Sequence, residues 1–208
     1  MEHQEIARAV VDRHGRTFAD EAGITLKDTP KPLWQLLVLS LLLSARIGSG
    51  IALSAARELF AAGYRTPERM RDATWQQRVD ALGRGHYRRY DERTATQLGE
   101  LAERVLTEYR GDLRRMRDED VESAVQGFTG IGPAGAAIFC REVQELWPEL
   151  APYVDPLAAR GAERLGLPSE PDRLAALVDT GDLTALVAGC VRAARDDAVV
   201  QDVLGRPT

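Results

Sequence analysis

The chain has 208 residues, 44% of them hydrophobic, which is enough for one domain of ordinary size or two small lobes. Its net charge of −5 and pI of about 5.3 exclude a broadly basic nucleic-acid-binding surface; only a local cluster of cations or backbone amides could hold DNA. Ala, Leu and Arg recur while runs of β-branched and aromatic residues are scarce, so the composition points to an all-α protein.

Ile6, Ala9, Val10 and Arg13 recur at helical spacing and predict a first helix over residues 4–14, followed by a looser segment over 15–29. Thr29-Pro30-Lys31-Pro32 opens a strongly apolar helix, because proline suits a first turn. Ser44–Gly50 breaks it, and Ile51, Ala55, Leu59 and Phe60 mark the next helix, which closes near Gly63. Thr66-Pro67-Glu68 reads as a cap, a first-turn proline and an acid at the positive helix end. Thr74-Trp75-Gln76-Gln77 has capping-box spacing and starts a short helix through Leu82, with Gly83–Gly85 as a turn. Tyr90, Thr94, Leu98, Leu101, Val105 and Tyr109 form the stripe of a long amphipathic helix over 87–109. Val121 and Val125 mark another helix.

After the hairpin-like Gly127–Gly132, a helix is expected from Pro133 to Trp147, with Ala136, Cys140, Val143 and Trp147 on one face. Pro148–Pro152 interrupts the chain, Asp155-Pro156 starts a helix to about Leu165, and helices over 171–178 and 182–194 precede a short tail. Cys140 and Cys190 lie in apolar stripes and read as small buried hydrophobes; two cysteines cannot make a four-thiolate cluster, so no metal or other cofactor is expected. The three tryptophans, Trp34, Trp75 and Trp147, all sit at helical spacing and read as core. The first residues are charged with no apolar core, unlike a signal peptide, and the longest apolar run, Leu33–Leu43, is too short to span a bilayer. A soluble cytoplasmic protein without a membrane partner is expected.

Phe128-Thr129-Gly130-Ile131-Gly132 lies between two helices. Glycines on either side of one apolar residue permit a tight reversal in which Ile131 tucks inward. The amides of Gly130 and Gly132, and those of Ala134 and Gly135 beyond the donorless Pro133, would then face outward as a phosphate site. An ordinary helix–helix turn is the plainer alternative.

Taken with its surroundings, this segment resembles the helix–hairpin–helix DNA glycosylase superfamily, which includes endonuclease III. Phe128–Gly132 resembles that family's Leu-Pro-Gly-Val-Gly hairpin. Val154-Asp155 looks like its catalytic Val-Asp, Leu41–Arg46 its Leu-Leu-Ser-Ala-Gln segment, and Gly85-His86-Tyr87 with Arg93-Thr94-Ala95 its Gly-x-Tyr…Lys-Ala stretch. The motifs run in register from about 30 to 165. The resemblance implies two helical lobes with an interlobe cleft, one lobe over 28–131 and the other from 1–27 plus 132–208. It also implies a monomer acting on double-stranded DNA that contains a damaged base, and association with the nucleoid.

In the same register the lyase lysine of the family falls on Ala134, which has no amine for imine chemistry. The four cysteines of the iron–sulfur members are missing. What the resemblance then implies is a monofunctional N-glycosylase with Asp155 as its carboxylate, or a DNA-binding or damage-sensing protein without catalysis. A carboxylate about 4 Å from the developing sugar cation would contribute up to roughly 4 kcal/mol at an effective dielectric near 20. Asp155 also reads as an N-cap of the helix that Pro156 opens. Arg46 stands at the position of the glutamine that fills the gap left by a flipped base. Tyr87, Arg88, Arg89 and Arg93 form the most basic local patch, in which Arg93 would meet a phosphate. A solvated face, with Asp91 and Glu92 as counter-charges, is the alternative.

Overall fold

The computed structural model describes residues 2–205. Every regular element among them is helical, in agreement with the composition. The chain forms two compact units, Ala19–Phe139 and Met1–Phe18 with Cys140–Thr208.

The central unit is built around α3, Pro30–Ser44, the most apolar helix of the chain. Leu33, Trp34, Leu36–Leu39, Leu41 and Leu42 are buried around its whole circumference, as expected of a helix covered on every side. It is preceded by the short α2, Phe18–Glu21, and packs against α4, Ser49–Ala61. Then follow α5, Pro67–Asp72, α6, Trp75–Arg84, and α7, Asp91–Tyr109, which lies over both of them. A 3-10 turn, Leu113–Asp118, leads to α8, Val121–Gln126, and through the hairpin to α9, Pro133–Val143. The caps form as their sequences require: Thr66 Oγ1 accepts from Arg69 N at 3.3 Å, and Thr74 and Gln77 bond reciprocally at 2.8 and 3.1 Å. Gly85 is packed so closely on α4 that an added Cβ would lie 2.5 Å from the Ala55 Cα. Arg78 is buried without a carboxylate and donates to the carbonyls of Met70 and Ala73, both at 3.0 Å, at the negative end of α5.

The terminal unit joins both ends of the chain. It holds α1, His3–His14, the last turn of α9, a 3-10 turn at Pro148–Leu150, α10, Pro156–Arg164, α11, Pro171–Ala175, α12, Leu183–Arg195, and α13, Asp197–Leu204. Its core gathers Val10, Ala162, Leu165, Leu186, Val187, Cys190 and Val203. Two glycines let helices touch at backbone distance. A Cβ at Gly161 would fall on the Cys190 carbonyl of α12, and one at Gly189 on the Val10 side chain of α1.

Several expectations need correction. The short tail after residue 194 is the helix α13, capped where Asp196 Oδ1 accepts from Ala198 N at 2.9 Å, with Val199, Val200 and Val203 buried. Valine is a modest helix former, so tertiary burial decides this segment. The long helix begins at Asp91, not at 87, because His86 takes a positive φ of 63° and Tyr87 turns into the core ahead of the helix. Gly83 belongs to α6, α9 ends at Val143 instead of Trp147, and α11 is shorter than expected. Trp34 and Trp147 are core, but Trp75 is 41% exposed and its indole donates to Thr96 Oγ1 at 3.1 Å. Both cysteines are buried, and burial pushes the Cys190 thiol up to about 12. In the unit that runs from Ala19 to Phe139, the hairpin and the first two turns of α9 lie with α3, where Gly135 rests against Ser40 and Ser44.

Candidate nucleic-acid interface

The hairpin is held from below by α7. Phe128 is buried, with its ring 6.2 Å from that of Tyr109 and the Arg104 guanidinium 4.7 Å above it. Arg104 also donates to the Gly127 carbonyl at 2.6 Å and makes two 2.9 Å bonds to Glu108. That contact holds the Glu108 carboxyl below its usual range. Ile131 is buried, as the tucked reversal requires, so its side chain cannot touch a ligand. The Ile131 amide is itself used, donating to the Phe128 carbonyl at 3.0 Å.

Only one of the two hairpin glycines is required by backbone shape. Gly130 has φ +91°, and an added Cβ would lie 2.7–2.8 Å from the Gln97 carboxamide. Gly132 has no such φ and open space around it. The amides of Gly130, Gly132 and Ala134 find no acceptor among the described residues, and Gly132 caps the next helix by accepting from Ala136 N at 3.0 Å. Ala134 is exposed, whereas Gly135 is buried against α3 and offers no open face.

Beside Gly130 lies a pocket of about 230 Å³ lined by Arg46, Tyr87, Tyr90, Arg93 and Gln97, together with Ser44 and Thr94. It unites four positions singled out along the sequence: Arg46 after α3, Tyr87 before α7, Arg93 on α7, and Gly130 in the hairpin. No carboxylate lines it. Arg46 and Arg93 are exposed and form no ion pair among the described residues. Among the described residues Asp91 and Glu92 form no ion pair with these arginines; Asp91 Oδ1 accepts from the Glu92 amide at 2.8 Å. Arg88 and Arg89 are outside the pocket, Arg89 stacking over the Tyr90 ring at 5.2 Å. Tyr87 is fully buried, accepts from Thr94 Oγ1 at 3.4 Å, and its phenol is pushed up chiefly by burial, so it remains protonated at neutral pH.

The sequence reading missed Gln97. It is 8% exposed, its carboxamide meets no partner among the described residues, and it faces the pocket beneath Gly130. Its position on the buried face of α7, one residue before Leu98, was the available signal, since a polar side chain there needs a reason.

Asp155 belongs to the terminal unit. It occupies the N-cap position of α10, but its side chain makes no cap hydrogen bond, which corrects the capping expectation. Its carboxylate instead faces Arg141, with Nη1 2.9 Å from Oδ1 and side chains 7% and 10% exposed. The contact is close without hydrogen-bond alignment, leaving Oδ1 buried with no hydrogen-bond partner. The Arg141 carbonyl accepts from Thr184 Oγ1 at 3.3 Å, which ties this turn of α9 to α12. Among the described residues no group of three or more His, Cys, Asp or Glu is placed to hold a metal ion, and no helix is long and apolar enough to cross a membrane.

No family model and no curated protein matches the chain. Among solved structures it is similar to a trapped endonuclease III–DNA covalent intermediate, an estranged-adenine complex. That likeness has 19% identity and a TM-score of 0.49, over 92% of this chain and 85% of that one.

Proposed function

We propose that this protein binds duplex DNA in the service of base-excision repair. The hairpin amides take backbone phosphate, and the adjoining pocket takes an unpaired or damaged base. The observation that carries this reading is the carboxylate-free pocket, which collects Arg46, Arg93, Tyr87 and the unpartnered Gln97 beside the free amides of the hairpin. Cations and amides supply phosphate affinity; the Gln97 carboxamide and the half-buried Tyr90 supply the hydrogen bonds and flat surface a base needs.

Binding to duplexes with and without an abasic site, followed by anisotropy across a salt series, tests it. The wild type prefers the abasic duplex. Arg46→Ala and Arg93→Ala each lower the slope of log affinity against log salt by about 0.9. Affinity that is absent, or that keeps its full slope in both variants, refutes the reading.

A hydrolytic role is the second reading, favoured by the Asp155 Oδ1 atom, a buried acceptor left without a hydrogen bond. A monofunctional N-glycosylase would use that carboxylate to stabilise the sugar cation or orient water. Duplexes carrying single lesions then yield alkali-labile sites with the wild type and none with folded Asp155→Asn. Borohydride traps no adduct at Ala134. An Asp155→Asn protein that keeps full turnover excludes the role, and wild-type binding without turnover leaves DNA binding alone.

A further inference from the structure

A second charged concavity lies at the other end of α3. It has a volume of about 690 Å³ and is lined by Lys27, Lys31, Arg57 and Arg65, with Thr29 and Phe60 among the remaining walls. No Asp or Glu lines it, in a chain whose net charge is −5. Lys27 and Lys31 are the only lysines in the sequence. Both are exposed and neither forms an ion pair among the described residues.

The two arginines are aimed by backbone. Arg57 Nη1 donates to the Glu21 carbonyl at 2.6 Å and Arg65 Nε to the Phe60 carbonyl at 2.8 Å, which fixes each side chain while sparing the rest of its guanidinium. Asp28, next to Lys27 in the chain, does not line the hollow and pairs with Arg117 at 3.1 Å. Thr29, the N-cap of α3, makes no side-chain cap bond. Four cations held around one hollow without a counter-charge repel one another, and an anionic ligand removes that repulsion.

We infer that this hollow is a second anion site, for a ligand presenting two or more phosphate groups close together. One phosphate would leave most of the four cations unmatched, and the volume lies in the range of small-ligand sites. The site is separate from the hairpin pocket, because the two lie at opposite ends of α3, about 20 Å apart along a helix of this length.

The probe is inorganic triphosphate, titrated calorimetrically into the full chain at low salt. Saturable binding is expected, weakened about tenfold or more in Lys27→Glu/Lys31→Glu and less in Lys27→Ala/Lys31→Ala, as loss of charge-assisted contacts requires. Both pairs of substitutions are on exposed side chains, and a thermal melt confirms the fold of each variant. No saturable binding, or binding unchanged in a folded double variant, overturns the inference. A short duplex added as competitor tells the source of the phosphates: displacement of triphosphate identifies a nucleic-acid backbone, and no displacement a free phosphorylated small molecule. Because the probe is not DNA, failure of duplex binding at the hairpin leaves this result standing.

Discussion

Arg141→Met unfolds the terminal unit under conditions where the wild type is stable, at a cost of about 3–5 kcal/mol. The substitution leaves the Asp155 carboxylate nine-tenths buried and removes the one counter-charge it meets among the described residues. Asp155→Ala has a comparable effect from the other side, stranding a guanidinium that is 7% exposed. Replacing both partners, Arg141→Met/Asp155→Leu, restores most of the loss, because a matched apolar pair avoids the desolvation that the ions require. Chemical denaturation of the four proteins checks this. A single-variant loss below about 1 kcal/mol, the range of surface pairs, shows that the pair is not buried as described. The experiment also disciplines the enzymatic test. Asp155→Asn keeps the shape and an acceptor oxygen, so it is the variant in which lost turnover can be separated from lost structure.

Gly161→Ala is the second large effect. The added methyl group coincides with the Cys190 carbonyl, and the next nearest atoms are also backbone, so no side-chain rotation makes room. Helices α10 and α12 have to separate, at a cost at or above the upper end of the ~1–3 kcal/mol usual for overpacking. Asp155 immediately precedes α10, so the same shift draws its carboxylate away from Arg141. Thermal denaturation of Gly161→Ala beside Gly166→Ala checks the steric argument. Gly166 has open space but φ +72°, so its variant suffers only from backbone strain. Equal losses in the two would refute the close approach at Gly161.

The sequence carried the helices with strong periodicity and clear caps, because 3.6-residue spacing and side-chain capping are local. Thus α3, the Thr66 and Thr74 caps and the tucked Ile131 are where local rules put them. It carried α13 poorly, since valines become helical there only through burial. Hairpin register was readable from glycine spacing, but not the division of labour: Gly130 answers to φ and Gln97, while Gly132 answers to neither. Arg46, Tyr87, Arg93 and Gly130 were each legible; their convergence on one pocket was not, because it depends on how α3, α7 and the hairpin pack. Arg141 went unnoticed as the partner of Asp155 because fourteen residues and a proline-rich turn separate them in the chain.

The confinement of lysine to the hollow at the start of α3 has a practical consequence for how the protein is handled. Apart from an α-amino group, every primary amine it offers stands at that one place. Amine-reactive dyes, acetylating agents and amine-coupled sensor chips therefore do not label or tether this molecule at random. Beyond the α-amino group they modify a single surface, remove the lysine half of its positive charge, and hold each copy coupled through lysine by the same face. Protection of Lys27 and Lys31 from acetylation then serves as a direct footprint of whatever occupies that hollow, read by mass in a peptide with no other lysine side chain.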